Sequence, residues 1–119
     1  MQNVTPALRI TNYEKSKAFY VDGLGFKIDG EHRFAPNLPV FMTISRDNLS
    51  FYLTQHTGDC QPGGLVFLRV PDVDAFYEEI TAKGVRAEGA PEDFEGKMRD
   101  FRVKDPDGNT LDIFTEINS

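Results

Sequence analysis

Cysteine and histidine, which supply much of the metal and thiol chemistry of proteins, are scarce in this sequence. Its 119 residues include one cysteine and two histidines. Cys60 has no partner for an internal disulfide, and the glycines, proline and aspartate around it are typical of a loop. His32 and His56 lie in or beside predicted loops. The sequence therefore favours neither a catalytic thiol nor a histidine metal centre.

Long apolar runs and an excess of basic residues are missing as well. No apolar stretch approaches the roughly 20 residues of a membrane-spanning helix, and the first residues lack the basic and apolar regions of a signal peptide. Against 13 Lys and Arg stand 19 Asp and Glu, a formal net charge of −6, which disfavours a phosphate backbone as partner. We expect a cytoplasmic, single-domain protein that binds neither nucleic acid nor membrane.

The sequence does contain an internal repeat: the order of predicted elements, strand–helix–strand–strand–strand, occurs twice. The predicted elements of the first half are, in chain order, a strand at 4–10, a helix at 13–20, and strands at 26–29, 40–44 and 49–54. Those of the second half are a strand at 65–70, a helix at 73–83, and strands at 85–88, 98–103 and 110–114, with 89–95 as a loop. The whole chain, 1–119, is predicted to be one domain, with module one at about 1–56, a linker at about 57–64 and module two at about 65–119.

The two halves superpose at an offset of sixty residues, as a duplicated unit should. The helix caps Asn12 and Asp72 coincide at this offset, and so do Asp47 and Asp107 in the predicted hairpin turns. Asparagine and aspartate are preferred at both kinds of position because their side chains accept hydrogen bonds from nearby backbone N–H groups. The offset therefore supports an internal duplication.

Three segments resemble those of the vicinal oxygen chelate superfamily, and within it the branch of the bleomycin resistance proteins. They are the capped helix that runs from Asn12 into Leu24-Gly25-Phe26, the segment 70–74 at the second helix, and Arg99-Asp100-Phe101 leading to the turn at 105–109. The resemblance covers essentially the whole chain. It implies an α+β fold of two tandem βαβββ modules whose curled mixed sheets surround a cleft, paired across a homodimer.

The same resemblance identifies four positions at which metal-using members of the superfamily place His or Glu. In this sequence the four positions hold Thr5, Tyr52, Leu65 and Asp112. Only Asp112 is a good ligand, and one carboxylate does not hold a divalent ion against water. We therefore expect no metal, no other cofactor and no assigned catalytic residue.

Strand alternation predicts which side chains face the cleft, since successive residues of a strand point to opposite faces. The predicted ligand-binding residues are Phe34, Met42, Tyr52, Phe67, Met98, Asp100, Arg102, Asp112 and Phe114. Aromatic rings, thioethers and carboxylates together suit a planar, partly cationic small molecule.

Two functions follow as hypotheses. The first is metal-independent sequestration of a small molecule, an antibiotic such as bleomycin or a metabolite, in a dimer-interface cleft. The alternative is a glyoxalase-like lyase or isomerase of unknown substrate, in which Asp112 acts as acid or base.

Overall fold

The computed structural model describes residues 2–117 as eight strands and two helices, the first of which continues as a π-helix. The elements of module one are β1 (Ala7–Arg9), α1 (Tyr13–Lys17) with its π-helical extension Ala18–Gly23, β2 (Lys27–His32), β3 (Phe41–Arg46) and β4 (Leu49–Thr54). Those of module two are β5 (Leu65–Arg69), α2 (Val73–Ala82), β6 (Glu92–Phe94), β7 (Met98–Lys104) and β8 (Thr110–Glu116). In this part of the chain no helix has the length and apolar character needed to cross a bilayer.

Each module forms one four-stranded mixed sheet with the same topology. The strand order is β1-β4-β3-β2 in the first sheet and β5-β8-β7-β6 in the second. The opening strand pairs in parallel with the closing strand in both, and the remaining pairs are antiparallel. The predicted α+β fold of two repeated βαβββ modules is confirmed.

Both helices begin at the predicted caps. Asn12 Oδ1 accepts a hydrogen bond from Lys15 N at 2.9 Å, and Asp72 Oδ1 accepts one from Ala75 N at 3.0 Å. These bonds satisfy N–H groups that have no partner within the helix. Each helix then packs its apolar side on one face of its sheet, through Tyr20 in module one and through Phe76 and Ile80 in module two.

The edge strand of module two, which follows α2 in the chain, differs from the prediction. Of the expected strand 85–88, only Ala87 forms a bridge, to Val103, and the edge strand is β6, which was expected to be loop. Pro91, which has no N–H to donate to a ladder, lies between this bridge and β6. Pairing resumes through a tight turn in which Glu95 and Gly96 both have positive φ, 50° and 68°, the conformation of a type I′ hairpin.

The turn between β7 and β8 joins the two modules. Asn109 is fully buried, and its Oδ1 accepts hydrogen bonds from Gly63 N and Gly64 N at 2.9 and 2.8 Å. Its Nδ2 donates to Arg9 O at 2.9 Å and to Asp105 Oδ2 at 2.8 Å. One side chain therefore holds the turn, the linker and the opening strand of module one together.

Tyr20 makes a second connection to the same turn. Its hydroxyl donates to Asp105 Oδ2 at 2.7 Å, and the ring is completely buried. Burial, and after it the charge of Asp105, raise the pKa of the Tyr20 phenol well above its usual value. The hydroxyl therefore stays protonated and available as a donor.

Candidate functional site

Each sheet has a face that its helix does not cover. Open face one carries side chains of module one, among them Ala7, His32, Phe41, Thr43 and Tyr52. Open face two carries side chains of module two, among them Leu65, Phe67, Phe94, Met98, Asp100, Arg102, Asp112 and Phe114. The assignment follows from the register: Phe67 and Arg102 both stand opposite Asp112, and Phe114 stands opposite Asp100.

A buried carboxylate, that of Asp112, lies beside two phenylalanine rings at the centre of open face two. Arg102 Nε donates to Asp112 Oδ2 at 2.8 Å, and the Arg102 guanidinium lies 5.9 Å from the centre of the Phe67 ring. The rings of Phe67 and Phe114 meet edge to face, with 6.3 Å between their centres. Phe67 is 50% exposed whereas Asp112 is fully buried, so the ring is accessible and the carboxylate lies beneath its neighbours.

The second oxygen of Asp112 has an unsatisfied hydrogen-bonding capacity. Among residues 2–117, no donor contacts Asp112 Oδ1. Burial raises the pKa of Asp112 to about 6, and the adjacent Asp100 carboxyl, which is close enough to share a proton with it, adds to the increase. Arg102 opposes the shift because its positive charge favours the ionised form. A carboxyl group with this pKa titrates just below neutral pH.

Open face one is aromatic. The rings of Phe41 and Tyr52 lie 5.0 Å apart between centres, and Phe34 contacts His32 and His56 at 4.8 and 6.4 Å. Phe34 is 77% exposed at the loop beside the end of β2. Phe41 and both histidines belong to this surface as well, although their positions in the sequence did not predict it. Once β3 is registered against β4, Phe41 falls on the same face as Tyr52.

The predicted position of Met42 on the open face is wrong. Met42 is 0% exposed and stands opposite Leu53 in the β3–β4 ladder, inside the hydrophobic core. Its neighbours Phe41 and Thr43 occupy the open face instead. A shift of one residue exchanges the two faces of a strand, and β3 was assigned in the wrong phase.

The remaining predicted residues divide between the two modules. Phe34 and Tyr52 belong to module one, whereas the others lie together on open face two: Phe67, Met98, Asp100, Arg102, Asp112 and Phe114. Phe94, which is 57% exposed and opposite Met98, joins the second group. It was missed because its segment was expected to be a loop.

The donor atoms do not fit a divalent metal ion. Leu65 offers no ligand atom, Thr5 and Tyr52 offer neutral oxygens, and one oxygen of Asp112 is engaged by Arg102. Across residues 2–117, no three His, Cys, Asp or Glu side chains are grouped as a metal centre requires.

A further cavity of about 280 Å³ lies on the helix side, between α2 and the β3–β4 turn. Arg46 and Glu79 line it and bind each other through two hydrogen bonds of 2.8 Å. Arg46 also donates to Leu24 O at 2.7 Å and lies over the Phe76 ring. Because these charged groups already have partners, the cavity is best explained as part of the junction between the modules.

The chain is similar to known proteins over nearly its whole length. A family model described as "Glyoxalase superfamily protein" matches residues 1–119. A solved bleomycin-binding protein complexed with bleomycin superposes with a TM-score of 0.74 at 27% identity, covering 97% of this chain and 98% of that one. A member of the glyoxalase/bleomycin resistance protein/dioxygenase superfamily from Sphaerobacter thermophilus DSM 20745 superposes with a TM-score of 0.75 at 26% identity, and the match covers 98% of each chain. Uncharacterized protein YraH of Bacillus subtilis (strain 168) is 29% identical over 118 residues, 90% of this chain and 92% of its own length.

Proposed function

This chain belongs to the glyoxalase superfamily, and from that premise we propose that it is a metal-independent binding protein that sequesters a cationic, partly aromatic small molecule in the cytoplasm. The observation that carries the proposal is open face two, where the exposed ring of Phe67 and the half-buried ring of Phe114 lie beside a buried carboxylate with one unpartnered oxygen. The bleomycin-binding relative supports an antibiotic as the ligand.

The charges of open face two suit a cation. With both carboxyl groups ionised, Asp100 and Asp112 carry two negative charges, and Arg102 neutralises one of them. Phe67 and Phe114 offer ring faces and edges to a planar group, and Met98 adds a polarisable thioether beside them. A flat ligand with a positive charge can bind to all of these groups at once.

We propose further that two copies of the chain complete the cleft. Each copy exposes large apolar side chains on both open faces, including Phe34, Leu65, Phe67 and Phe94, and exposed apolar patches mark interaction sites. Pairing open face one of each protomer with open face two of its partner would unite Phe34 and Tyr52 with the acidic group. Two equivalent clefts result, as expected for a two-fold dimer.

Sedimentation velocity tests this arrangement. At concentrations of tens of micromolar, we expect a single species with the mass of two chains, twice 13.4 kDa. Phe94→Asp places a charge in the proposed interface on open face two and is expected to lower the sedimenting mass toward that of the monomer. Glu78→Gln, on the outer side of α2, is the control and should leave the protein dimeric. A wild-type protein that sediments as a monomer would rule out the shared cleft.

Bleomycin with EDTA present tests the ligand class. A ligand at about 100 times its Kd stabilises the folded state by about 2.7 kcal/mol, so we expect the melting temperature to rise by several degrees. Phe67→Ala should reduce the rise, and Phe67→Tyr, which retains the ring, should preserve it. No shift at high excess would exclude bleomycin-type ligands while leaving the fold assignment intact.

The alternative function, a glyoxalase-like lyase or isomerase, is favoured by one observation. The pKa of Asp112, raised to about 6, is suitable for a general acid or base near neutral pH. Mass spectrometry of the bleomycin recovered from the binding experiment separates the two functions for that ligand. Sequestration returns the compound unchanged, and catalysis returns a product.

A further inference from the structure

Asp112 Oδ1 is the polar atom of open face two that most needs a partner. The residue is fully buried, Oδ2 accepts from Arg102 Nε, and no donor among residues 2–117 reaches Oδ1. Buried acceptors are nearly always hydrogen-bonded in folded proteins. The exception lies among Phe67, Phe114 and Arg102, on the surface to which the proposed function assigns the ligand.

The charged groups around Asp112 provide no donor for Oδ1 when Asp100 and Asp112 are both ionised and share no proton. On β7, Asp100 is an acceptor when ionised, Arg102 is bound to the other oxygen, and Lys104 stands opposite Thr110. On β5, Arg69 pairs with Glu116. Glu92 of β6, opposite Asp100, is also an acceptor. When the two carboxyl groups share no proton, the donor for Oδ1 therefore comes from the ligand or from water.

We propose that Asp112 determines the specificity of ligand binding, because its Oδ1 accepts a hydrogen bond from an N–H group of the ligand. The protein then selects protonated amines, amidines or ring N–H cations and discriminates against quaternary ammonium groups. The inference rests on the proposed function and makes its ligand class narrower. Aromatic rings alone attract any cation, including quaternary ones. An unpartnered carboxylate oxygen additionally requires a hydrogen-bond donor, which a quaternary nitrogen lacks.

The proposal also predicts how affinity depends on pH. Because the pKa of Asp112 is raised to about 6, the carboxyl is ionised at pH 7.5 and ready to accept from a cation. Protonation as the pH falls through 6 removes the negative charge that the cation requires. An alkyl ammonium, with a pKa near 10, remains charged throughout, so affinity should decrease several-fold between pH 7.5 and pH 5.

Three matched probes test the specificity: tryptamine, its N,N,N-trimethyl quaternary analogue and the neutral alcohol tryptophol. Each is titrated into the full-length ¹⁵N-labelled protein at pH 7.5, and Kd is obtained from amide shifts of β5, β7 and β8. One charge-assisted hydrogen bond is worth about tenfold or more in affinity. We expect tryptamine to bind at least tenfold more tightly than either analogue at pH 7.5. At pH 5 this ratio of Kd values should be smaller for both analogues.

Two variants assign the effect to one side chain. Asp112→Asn retains the shape and should abolish the preference for tryptamine over the quaternary analogue. Glu78→Gln, an exposed change on α2 with the same loss of charge, should preserve it. If Asp112→Asn does not fold, the wild-type protein provides the test: its preference for tryptamine over the quaternary analogue must be smaller at pH 5 than at pH 7.5.

Equal binding of tryptamine and the quaternary analogue, a preference that survives Asp112→Asn, or no saturable binding of tryptamine would each overturn the inference. None of these results changes the outcome of the bleomycin experiment. The two proposals can therefore fail separately.

Discussion

Replacement of Asn109 by alanine is expected to lower the free energy of unfolding by about 3 kcal/mol, the larger share of which comes from buried groups left without partners. The substitution removes four hydrogen bonds, to Gly63 N, Gly64 N, Arg9 O and Asp105 Oδ2. Gly63 is exposed, so water can replace one of these bonds, but Arg9 O and Asp105 are less accessible. Urea denaturation followed by circular dichroism measures the change.

For a domain of this size, a loss of 3 kcal/mol corresponds to a melting temperature roughly 10 °C lower. Asn48→Ala is the matched control, because Asn48 occupies the corresponding turn of module one and is exposed. It is expected to change stability by about 0.5 kcal/mol or less. Equal effects of the two substitutions would show that the turn at 105–109 does not join the modules as described.

Met42→Ala is expected to cost about 3 kcal/mol of stability without weakening ligand binding. Met42 is fully buried opposite Leu53, so truncation of its side chain leaves a cavity in the core. Neighbouring side chains refill such a cavity only in part. The measurement is again chemical denaturation, combined with the bleomycin thermal shift recorded relative to each variant's own melting temperature.

Thr43→Ala is the neighbouring control, since Thr43 points to open face one. Its effect on stability should be within about 1 kcal/mol. The opposite result, in which Met42→Ala is neutral to stability but weakens binding, would restore the placement of Met42 on the open face and contradict the register of β3.

The elements that could be predicted from sequence are those whose causes are local. A cap such as Asn12 bonds to a backbone group three residues away, and the residue types at 105–109 are those that tight turns require. The shape of module two near Pro91 was harder to predict, because a type I′ turn at Glu95-Gly96 lacks the usual Asn-Gly or Asp-Gly signal.

The candidate site was predictable only in part. Alternation along β5, β7 and β8 assigned Phe67, Arg102 and Asp112 to one face, and the register places them there. The phase of β3 was predicted wrongly at Met42, although Met42 and Ile44 alternate with the polar Thr43 and Ser45. The aromatic Phe41, which shares the open face with Thr43, obscures this alternation.

By itself, the sequence determined the duplicated order of elements, the caps and the turns, because these depend on residue types a few positions apart. Tertiary structure alone decided the separation of the predicted ligand residues between the two modules and the partners of Asn109, which lie 45 to 100 residues away except for Asp105. It also decided that Asp112 is buried with one oxygen engaged by Arg102 and the other unpartnered. The physical reason is that burial and hydrogen-bond satisfaction depend on every strand packed around a group, which no local pattern specifies.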